Sequence, residues 1–378
     1  LTEGLDRIPR TSSYCIEKSM RTLILGDTHI WNHSQLGGPM EGGLNRRCRG
    51  LIRDISDTVQ GAITEYGIEA VVQLGDFFDK SNPPPAVMLA AMELLRRFDV
   101  QWHILAGNHD IRAFGVPSAI SPLRHLPNVK VYEEPTLVEL GDAPWAMVPF
   151  TARTADESVK KALELLSPAV DETRFACLHY GAVREYSSNR PDVTPLRDYF
   201  WAGHTLDRYP TNWFFGHEHG SRAVANTSEH TKARSLGSFC QHNFGDPNII
   251  YIGAIVDTNL LDVVKVVELM GPRFVDLREV DFTLLGTHRN ASAIYAIFSP
   301  EDASLAERLR EVGLITDFRI APIQREESGD GFAAEPAPLT SSEPVDIDQC
   351  VLEELQTKRS DEELLKAWEY YEQLKQRI

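Results

Sequence analysis

The sequence predicts a layered α/β fold in which two mixed β-sheets pack as a sandwich with helices outside. Short apolar runs bounded by polar loops alternate with helical patterns in the first half of the chain. After residue 210 the helical patterns give way to a series of short strands. Five clusters of Asp, Asn and His stand at the ends of predicted strands, where ligand sites form in α/β sheets.

The order of the elements follows from apolar runs and their spacing. Strands in the first half are predicted at 22–26, 70–74, 101–106, 145–150 and 174–179. Helices are predicted at about 46–66 and 86–98. Strands in the second half are predicted at 212–216, 221–226, 249–256, 261–268 and 273–280. We therefore expect one parallel, helix-covered half and one more antiparallel half.

Five segments are expected along the chain. Residues 1–19 have no period and precede Met20, the expected natural first residue, so they are a native extension or a foreign leader. Residues 20–281 form the main domain, and 282–325 a small βαβ cap domain. An acidic, proline-containing linker follows at 326–345. Residues 346–378 carry two capping-box patterns and are predicted to form a helix-loop-helix.

Composition and charge exclude several classes of protein. The 378 residues are 42% hydrophobic and 25% charged, which is typical of a globular chain. The net charge of −17 argues against binding DNA or a membrane through bulk positive charge, but it allows a locally basic groove. No apolar run is long enough for a membrane helix. Five cysteines without paired spacing suggest a reducing compartment, so we expect a cytoplasmic protein, nucleoid-associated or in the host cytoplasm if phage-encoded.

The five clusters carry the candidate chemistry. They are Gly26-Asp27-Thr28-His29, Gly75-Asp76-Phe77-Phe78-Asp79, Gly107-Asn108-His109-Asp110, Leu178-His179-Tyr180 and Gly216-His217-Glu218-His219. Carboxylate, amide and imidazole ligands without thiolate suit manganese, iron or zinc. The set is large enough for two ions, which can clamp a phosphate and activate a water between them. Each cluster alone is a weak signal, but five at strand ends are very unlikely to arise by chance.

The ordered set resembles the calcineurin-like metallophosphoesterase superfamily over residues 21–258, which implies a four-layer sandwich. The resemblance implies seven ligands to two divalent ions, Mn²⁺ first and Mg²⁺, Fe²⁺ or Zn²⁺ as alternatives. One ion would be held by Asp27, His29 and His219, the second by Asn108, His179 and His217, and both by Asp76. The resemblance also implies that His109 is the acid for the leaving oxygen. This role agrees with the ability of an imidazole to donate a proton near neutral pH.

Two further segments are similar to the SbcD-type repair nucleases, which include the phage recombination endonuclease subunit. They are Lys80-Ser-Asn-Pro-Pro-Pro after the second cluster, and Leu236-Gly237-Ser238 with Phe244-Gly-Asp246 behind it. This resemblance implies DNA as substrate, with Gly237 and Ser238 as substrate-binding residues. It also implies a homodimer that binds the coiled coil of an SMC-like ATPase through residues 346–378. The small cap and Gly-rich 31–45 depart from the pattern.

Alternatives remain at this stage. The chain could be a phosphatase or phosphodiesterase for nucleotides, small esters or phosphoproteins, or a scaffold with a vestigial metal site. Asp79 and Asp110 are expected to orient His109 or a ligand imidazole, or else to serve in turns. Surface positions are the commoner expectation for His33, His204, His242, Arg46, Arg47 and Arg49, and an inert buried position is expected for Cys177.

Overall fold

Two six-stranded mixed sheets form the centre of the computed structural model. It describes residues 19–151, 174–183, 199–201, 211–223, 232–246, 249–278 and 291–322, with five positions between 157 and 164. The predicted α/β sandwich is confirmed. The leader, the acidic linker, residues 346–378 and His204 lie outside the described residues.

The strands are numbered in chain order over the described residues. They are β1 (Arg21–Leu25), β2 (Met40–Glu41), β3 (Leu44–Asn45), β4 (Ala70–Gln73), β5 (Gln101–Leu105), β6 (Val129–Tyr132), β7 (Thr136–Leu140), β8 (Ala143–Val148), β9 (Arg174–Leu178), β10 (Gly181–Val183), β11 (Tyr199–Trp201), β12 (Thr211–Phe215), β13 (Arg222–Ala223), β14 (Lys232–Ser235), β15 (Ile252–Asp257), β16 (Asp262–Glu268), β17 (Pro272–Asp276), β18 (Ala293–Phe298) and β19 (Asp317–Ile320). The helices are α1 (Arg46–Tyr66), α2 (Pro85–Arg96) and α3 (Ala303–Glu311).

Each central sheet has a run of four parallel strands, flanked by antiparallel strands at one edge of the first sheet and at both edges of the second. The first has the order β16-β15-β1-β4-β5-β6, and β1, β4, β5 and β6 are parallel. The second has the order β13-β14-β12-β9-β8-β7, and β8, β9, β12 and β14 are parallel. Of the five strands predicted after residue 210, β13, β15 and β16 pair antiparallel, whereas β12 and β17 pair in parallel, so the expectation of a more antiparallel second half is confirmed only in part. Apolar runs indicate strands, but they do not encode the direction of their partners.

The helix α1 has the predicted bounds and clear ends. The side chain of Asn45 accepts a hydrogen bond from the backbone N–H of Cys48, and Gly67 closes the helix in the left-handed conformation. Its apolar face packs with α2 against the outer face of the first sheet, where Leu51, Ile55 and Val59 are buried. No helix among the described residues is both long and apolar enough to cross a bilayer.

A second core lies between the two sheets. Ile24, Val72 and Leu105 from the first sheet pack in one cluster with buried aromatic residues from the second. Among these, Trp145 is fully buried and stacks on Phe175 at 4.3 Å between ring centroids. This core fixes the two sheets to each other, and therefore fixes the strand ends of one relative to those of the other.

A three-stranded parallel sheet, the cap sheet, consists of β17, β18 and β19 and packs with α3. The sequence predicts strands at 293–299 and 316–323 and a helix at 300–312, close to the observed bounds of β18, β19 and α3. It places the strand at 273–280 in the main domain, whereas β17 pairs in parallel with β18. The pairing joins strands separated by residues 277–292, a separation at which local sequence patterns give no information on partners.

We expect Trp145→Ala to lower the free energy of unfolding by about 3–5 kcal/mol, because it removes the largest side chain from the core between the sheets. Denaturant unfolding would measure the change. The matched control is Leu137→Ala on β7, where the side chain is 42% exposed and the expected change is within about 0.5 kcal/mol. Equal effects of the two variants would contradict the described packing.

Candidate metal centre

The carboxyl ends of strands from both sheets converge on one site. Asp27 follows β1, Asp76 follows β4 and Asn108 follows β5, all from the first sheet. His179 follows β9 and His217 follows β12, both from the second. The structure brings together the predicted ligands and acid: Asp27, His29, Asp76, Asn108, His109, His179, His217 and His219.

The first group of donors contains Asp27, His29 and His219, which each offer a ligand atom within 4.8 Å of the others. The Nε2 atoms of His29 and His219 face each other at 3.1 Å. The other nitrogen of His219, Nδ1, donates to the Asp246 carboxylate at 2.9 Å. In neutral His219 the proton therefore lies on Nδ1, and the Nε2 lone pair is directed towards His29. Two facing nitrogens at this distance suit a shared cation.

The second group of donors centres on Asn108. Its side-chain oxygen lies 3.0 Å from His179 Nε2 and 2.9 Å from His217 Nδ1. His179 donates from Nδ1 to the Leu74 carbonyl at 2.8 Å, which fixes the orientation of its ring. A backbone carbonyl behind a ligand imidazole is the arrangement that orients metal-binding histidines in proteins.

Asp76 lies between the two groups. One of its carboxylate oxygens is 3.4 Å from His179 Nε2, and the other is 3.8 Å from His29 Nε2. The first oxygen also accepts the backbone N–H of His109 at 2.8 Å. The position suits the bridging role that the resemblance implies.

The protonation properties of the donors fit divalent cations. Burial raises the pKa of Asp27 to about 7, with a further contribution from the Asp76 charge. Burial lowers the pKa of His29 to about 3 and that of His217 to about 4, which keeps both in the neutral, ligating form. Burial opposes protonation of His179, but the carboxylates of Asp76 and Asp27 hold its pKa at about 9. A divalent cation in this site would replace the protons that Asp27 and His179 hold without it.

His109 differs from the ligands because it is exposed. Its Nδ1 donates to the backbone carbonyl of Asp79 at 2.7 Å, and its ring lies 4.7 Å from that of His29. The Nε2 atom is thereby directed away from the Asp79 backbone. The backbone of Asp79 thus orients His109, while its carboxylate lies 3.6 Å from His29 Nδ1.

Asp110 has a structural position. Its buried carboxylate accepts the backbone N–H groups of Phe77, Phe78 and Gly107 at 3.2, 3.0 and 2.9 Å. It therefore ties the turn that bears Asp76 to the turn that bears His109. The sequence leaves two roles open for Asp110, orienting a histidine or stabilising a turn. These contacts stabilise turns.

The turns that carry the ligands have unusual backbone conformations. His29, Asp76 and His217 have φ angles of 45°, 50° and 73°, a region that residues other than glycine rarely occupy. Such strain is found where the surrounding structure overdetermines a functional site. At Gly107 a Cβ atom would lie 2.1 Å from the backbone nitrogen of Asp76, so only glycine allows the two turns to approach.

Three residues near the site were not predicted. Asp246 accepts from His219 and, through its second oxygen, from the backbone N–H of His242 at 2.7 Å. His242 is 6% exposed and packs its ring 4.7 Å from that of His29, so the surface position expected for it is wrong. Arg47 is also buried, where it donates to the His242 carbonyl and lies over the ring of Phe274.

The sequence offers one signal for these contacts. Asp246 stands in the segment that resembles the nuclease loop, and an acidic residue near a ligand histidine is a candidate for orienting it. Arg47 and His242 give no such signal. Arg47 is buried against Phe274 and Tyr295 of the cap sheet, and His242 packs against the rings of His29 and His219, which are all distant in the sequence. His33 is half-buried, and burial lowers its pKa to about 3, so it is less exposed than the expected solvated loop position.

The segment at Gly237 and Ser238 lies directly against the first metal-ligand turn. Ser238 is fully buried, and its hydroxyl donates to the Cys240 carbonyl at 2.6 Å. The next backbone N–H, of Phe239, donates to the Asp27 carbonyl at 2.7 Å. These contacts hold the loop in place, so the hydroxyl could reach a substrate only by giving up its hydrogen bond. Cys177 is buried as expected, and burial raises the pKa of its thiol.

A sandwich with paired carboxylates, an amide and several histidines at its strand ends is the architecture of a metal-dependent phosphoesterase. Residues 20–253 match the family described as calcineurin-like phosphoesterase. The chain belongs to this family, whose members use a dimetal centre, and it is a metal-dependent hydrolase by membership.

Solved structures to which this chain is similar have low sequence identity with it. A dimetal phosphatase from Danio rerio is 14% identical with a TM-score of 0.41, covering 62% of this chain and 91% of its own. The nuclease MPE from Pseudomonas putida is 13% identical with a TM-score of 0.28, covering 62% and 83%. Likenesses of this size carry no information on substrate. No curated protein matches the chain significantly.

We expect Asp246→Asn to weaken Mn²⁺ binding about 10- to 100-fold, because the anionic acceptor that orients His219 is lost. Calorimetric titration of the metal-free protein with Mn²⁺ would measure the affinity. Asp262→Asn is the matched control, since that carboxylate pairs with Lys232 at a part-exposed position on β16. If the metal affinity of Asp246→Asn is unchanged, Asp246 does not orient His219 for metal binding.

Proposed function

We propose that the protein is a Mn²⁺-dependent phosphodiesterase that cleaves DNA, the nuclease subunit of an ATPase-nuclease complex in recombination and double-strand-break repair. The observation that carries the proposal is the position of the loop at 236–246. This is the segment similar to the SbcD-type nucleases, and it contacts both the donors and the cap sheet. Asp246 holds His219, and Gln241 exchanges hydrogen bonds with the backbone of Phe274 at 3.1 and 2.8 Å.

The residues of the site have separate roles in the proposed reaction. When bound, two divalent ions supply Lewis acidity and an activated water to a phosphodiester. Asp27, His29 and His219 would hold one ion, Asn108, His179 and His217 the other, and Asp76 both. His109 donates its Nδ1 proton to a hydrogen bond with the Asp79 carbonyl, so it acts as the acid in its imidazolium form, in which Nε2 carries a second proton and donates it to the departing sugar oxygen.

His109→Ala is expected to reduce DNA cleavage by about 10²–10⁴-fold while two ions per chain remain bound. Digestion of linear duplex DNA with Mn²⁺, beside elemental analysis of the dialysed protein, would test both statements. His125→Ala is the matched control, since His125 is an exposed histidine outside the site. Loss of metal from His109→Ala would show that His109 is a ligand rather than the acid.

The same digestion separates the alternative activities. A phosphatase or phosphodiesterase for nucleotides, small esters or phosphoproteins would hydrolyse p-nitrophenyl phosphate or a small phosphodiester efficiently and leave linear DNA intact. A scaffold with a vestigial site would show neither activity. The complete donor set disfavours the scaffold, because none of the seven ligand positions is substituted.

We further propose that residues 346–378 dock on the coiled coil of an SMC-like ATPase in a dimeric cytoplasmic assembly. The support is the sequence pattern alone: Leu364, Trp368, Tyr371 and Leu374 fall on one stripe of a predicted helix. Trp and Tyr frequently dominate the binding energy of such surfaces. An amphipathic stripe of this kind suits helix-in-groove binding.

Deletion of 346–378 is expected to abolish association with the ATPase while metal binding and basal cleavage stay nearly unchanged. Co-purification and the DNA digestion would measure the two properties. Trp368→Ala should weaken association, whereas Gln373→Ala, on the opposite helix face, should not. If the truncated chain co-purifies at full affinity, the docking assignment is wrong. If it loses basal activity, the helices pack on the catalytic domain instead.

A further inference from the structure

Two segments of the chain leave the first sheet side by side at the metal donors. The backbone N–H of His29 donates to the Asp76 carbonyl at 2.9 Å, and that of Ile30 donates to the Phe77 carbonyl at 3.0 Å. Ile30 also forms a parallel bridge with Phe78, and both side chains are fully buried. The residues that follow this bridge therefore emerge next to each other at the edge of the donor set.

Trp31 and Lys80 lie just beyond the bridge and contact each other. The Lys80 ammonium lies over the Trp31 ring, 5.4 Å from its centroid, which is the geometry of a cation–π pair. Lys80 is exposed, whereas Trp31 is half-buried. The stem of a lysine is flexible, so contact with a fixed ring restricts where its charge can lie. The indole therefore holds this cation at the edge of the donor set.

The cation stands close to the groups that would carry out the reaction. Lys80 directly follows Asp79, whose backbone carbonyl accepts a hydrogen bond from His109 Nδ1 at 2.7 Å. The Asp79 carboxylate lies 3.6 Å from His29 Nδ1. In the proposed reaction the scissile phosphate is bound by the two ions. A cation beside them is therefore placed for a neighbouring phosphate, which a polynucleotide has and a small phosphodiester lacks.

The charge balance of the chain makes this cation informative. The net charge of −17 means that the protein repels a polyanion on average, so an anionic substrate needs local positive charge. No carboxylate forms an ion pair with Lys80 within the part of the chain that the structure describes. The ammonium is thus positioned by an aromatic ring, and its charge is not neutralised by an ion pair there.

We propose that Lys80 contacts the phosphate next to the scissile one and thereby favours polynucleotides over small phosphodiesters. Trp31 is the positioning residue, which acts through Lys80 and does not itself contact the nucleic acid. The proposal rests on the proposed function, because it takes DNA as the substrate. The competing explanation is that the lysine stem only shields the indole ring from water.

The ratio of kcat/KM for a duplex oligonucleotide to that for bis-p-nitrophenyl phosphate tests the specificity, because the small diester has no neighbouring phosphate. Lys80→Met removes the charge but keeps an unbranched stem over the ring. We expect it to lower the ratio about 2- to 10-fold, the value of one exposed charge contact. Lys80→Arg should retain the ratio, since an arginine also stacks on an indole. Lys130→Met is the matched control, an exposed cation on β6.

The salt dependence of DNA binding tests the phosphate contact without relying on turnover. With Ca²⁺ in place of Mn²⁺, Lys80→Met should reduce the slope of log affinity against log salt by about one, and Lys130→Met should leave it unchanged. Trp31→Leu should weaken binding, whereas Trp31→Phe, which keeps a ring under the ammonium, should retain it. Elemental analysis showing two ions per chain would confirm that the His29 turn is intact in each variant.

The outcomes distinguish this proposal from the proposed function. If the unmodified protein cleaves DNA and Lys80→Met keeps both the substrate ratio and the salt slope, Lys80 only covers the indole and the nuclease function stands. If Lys80→Met lowers kcat/KM equally for both substrates, Lys80 acts at the scissile phosphate and the neighbouring contact is refuted. If the unmodified protein cleaves no DNA with Mn²⁺, the nuclease function fails and this proposal fails with it.

Discussion

Asp27 and Asp76 lie buried together at the carboxyl ends of two neighbouring parallel strands, β1 and β4. Two anionic carboxylates in a dry interior are unstable without positive charge nearby. Burial raises the pKa of Asp27 to about 7. The same two carboxylates hold a proton on His179 against the effect of burial. Burial lowers the pKa of His29 and His217 and keeps both neutral beside this pair. The need for cations is therefore a consequence of where the strands end, and a dimetal centre satisfies it.

The close approach of the ligand turns depends on the sandwich around them. At Gly75, where φ is 109°, a Cβ atom would lie 2.2 Å from His179 Nδ1, so glycine is required for two turns from different sheets to meet. Left-handed conformations at His29, Asp76 and His217 cost on the order of 1–3 kcal/mol each. The core between the sheets stabilises this arrangement because it leaves neither sheet free to relax away from the other.

Local patterns in the sequence predict the elements well and their partners poorly. The bounds of α1 and the ligand-bearing strand ends follow from capping residues and apolar runs, and the five clusters identify the donors that the fold brings together. The strand β14 was not predicted, because its sequence Lys-Ala-Arg-Ser alternates polar and small residues. The sheet of β17 and the burial of Arg47 and His242 depend on contacts between segments far apart in the chain. Such contacts leave no periodic signal.

The loop at 236–246 links these distant parts. Gln241 makes two hydrogen bonds with the backbone of Phe274 in β17, and a third from its amide nitrogen to the Asp246 carbonyl at 3.2 Å. Asp246 in turn orients His219. Arg47, at the start of α1, donates to the carbonyl of His242 in the same loop. A displacement of the cap sheet must therefore either break the hydrogen bonds of Gln241 or move the loop that fixes the His219 ring. For this reason the position of the cap sheet and the geometry of the first group of donors cannot change independently of each other.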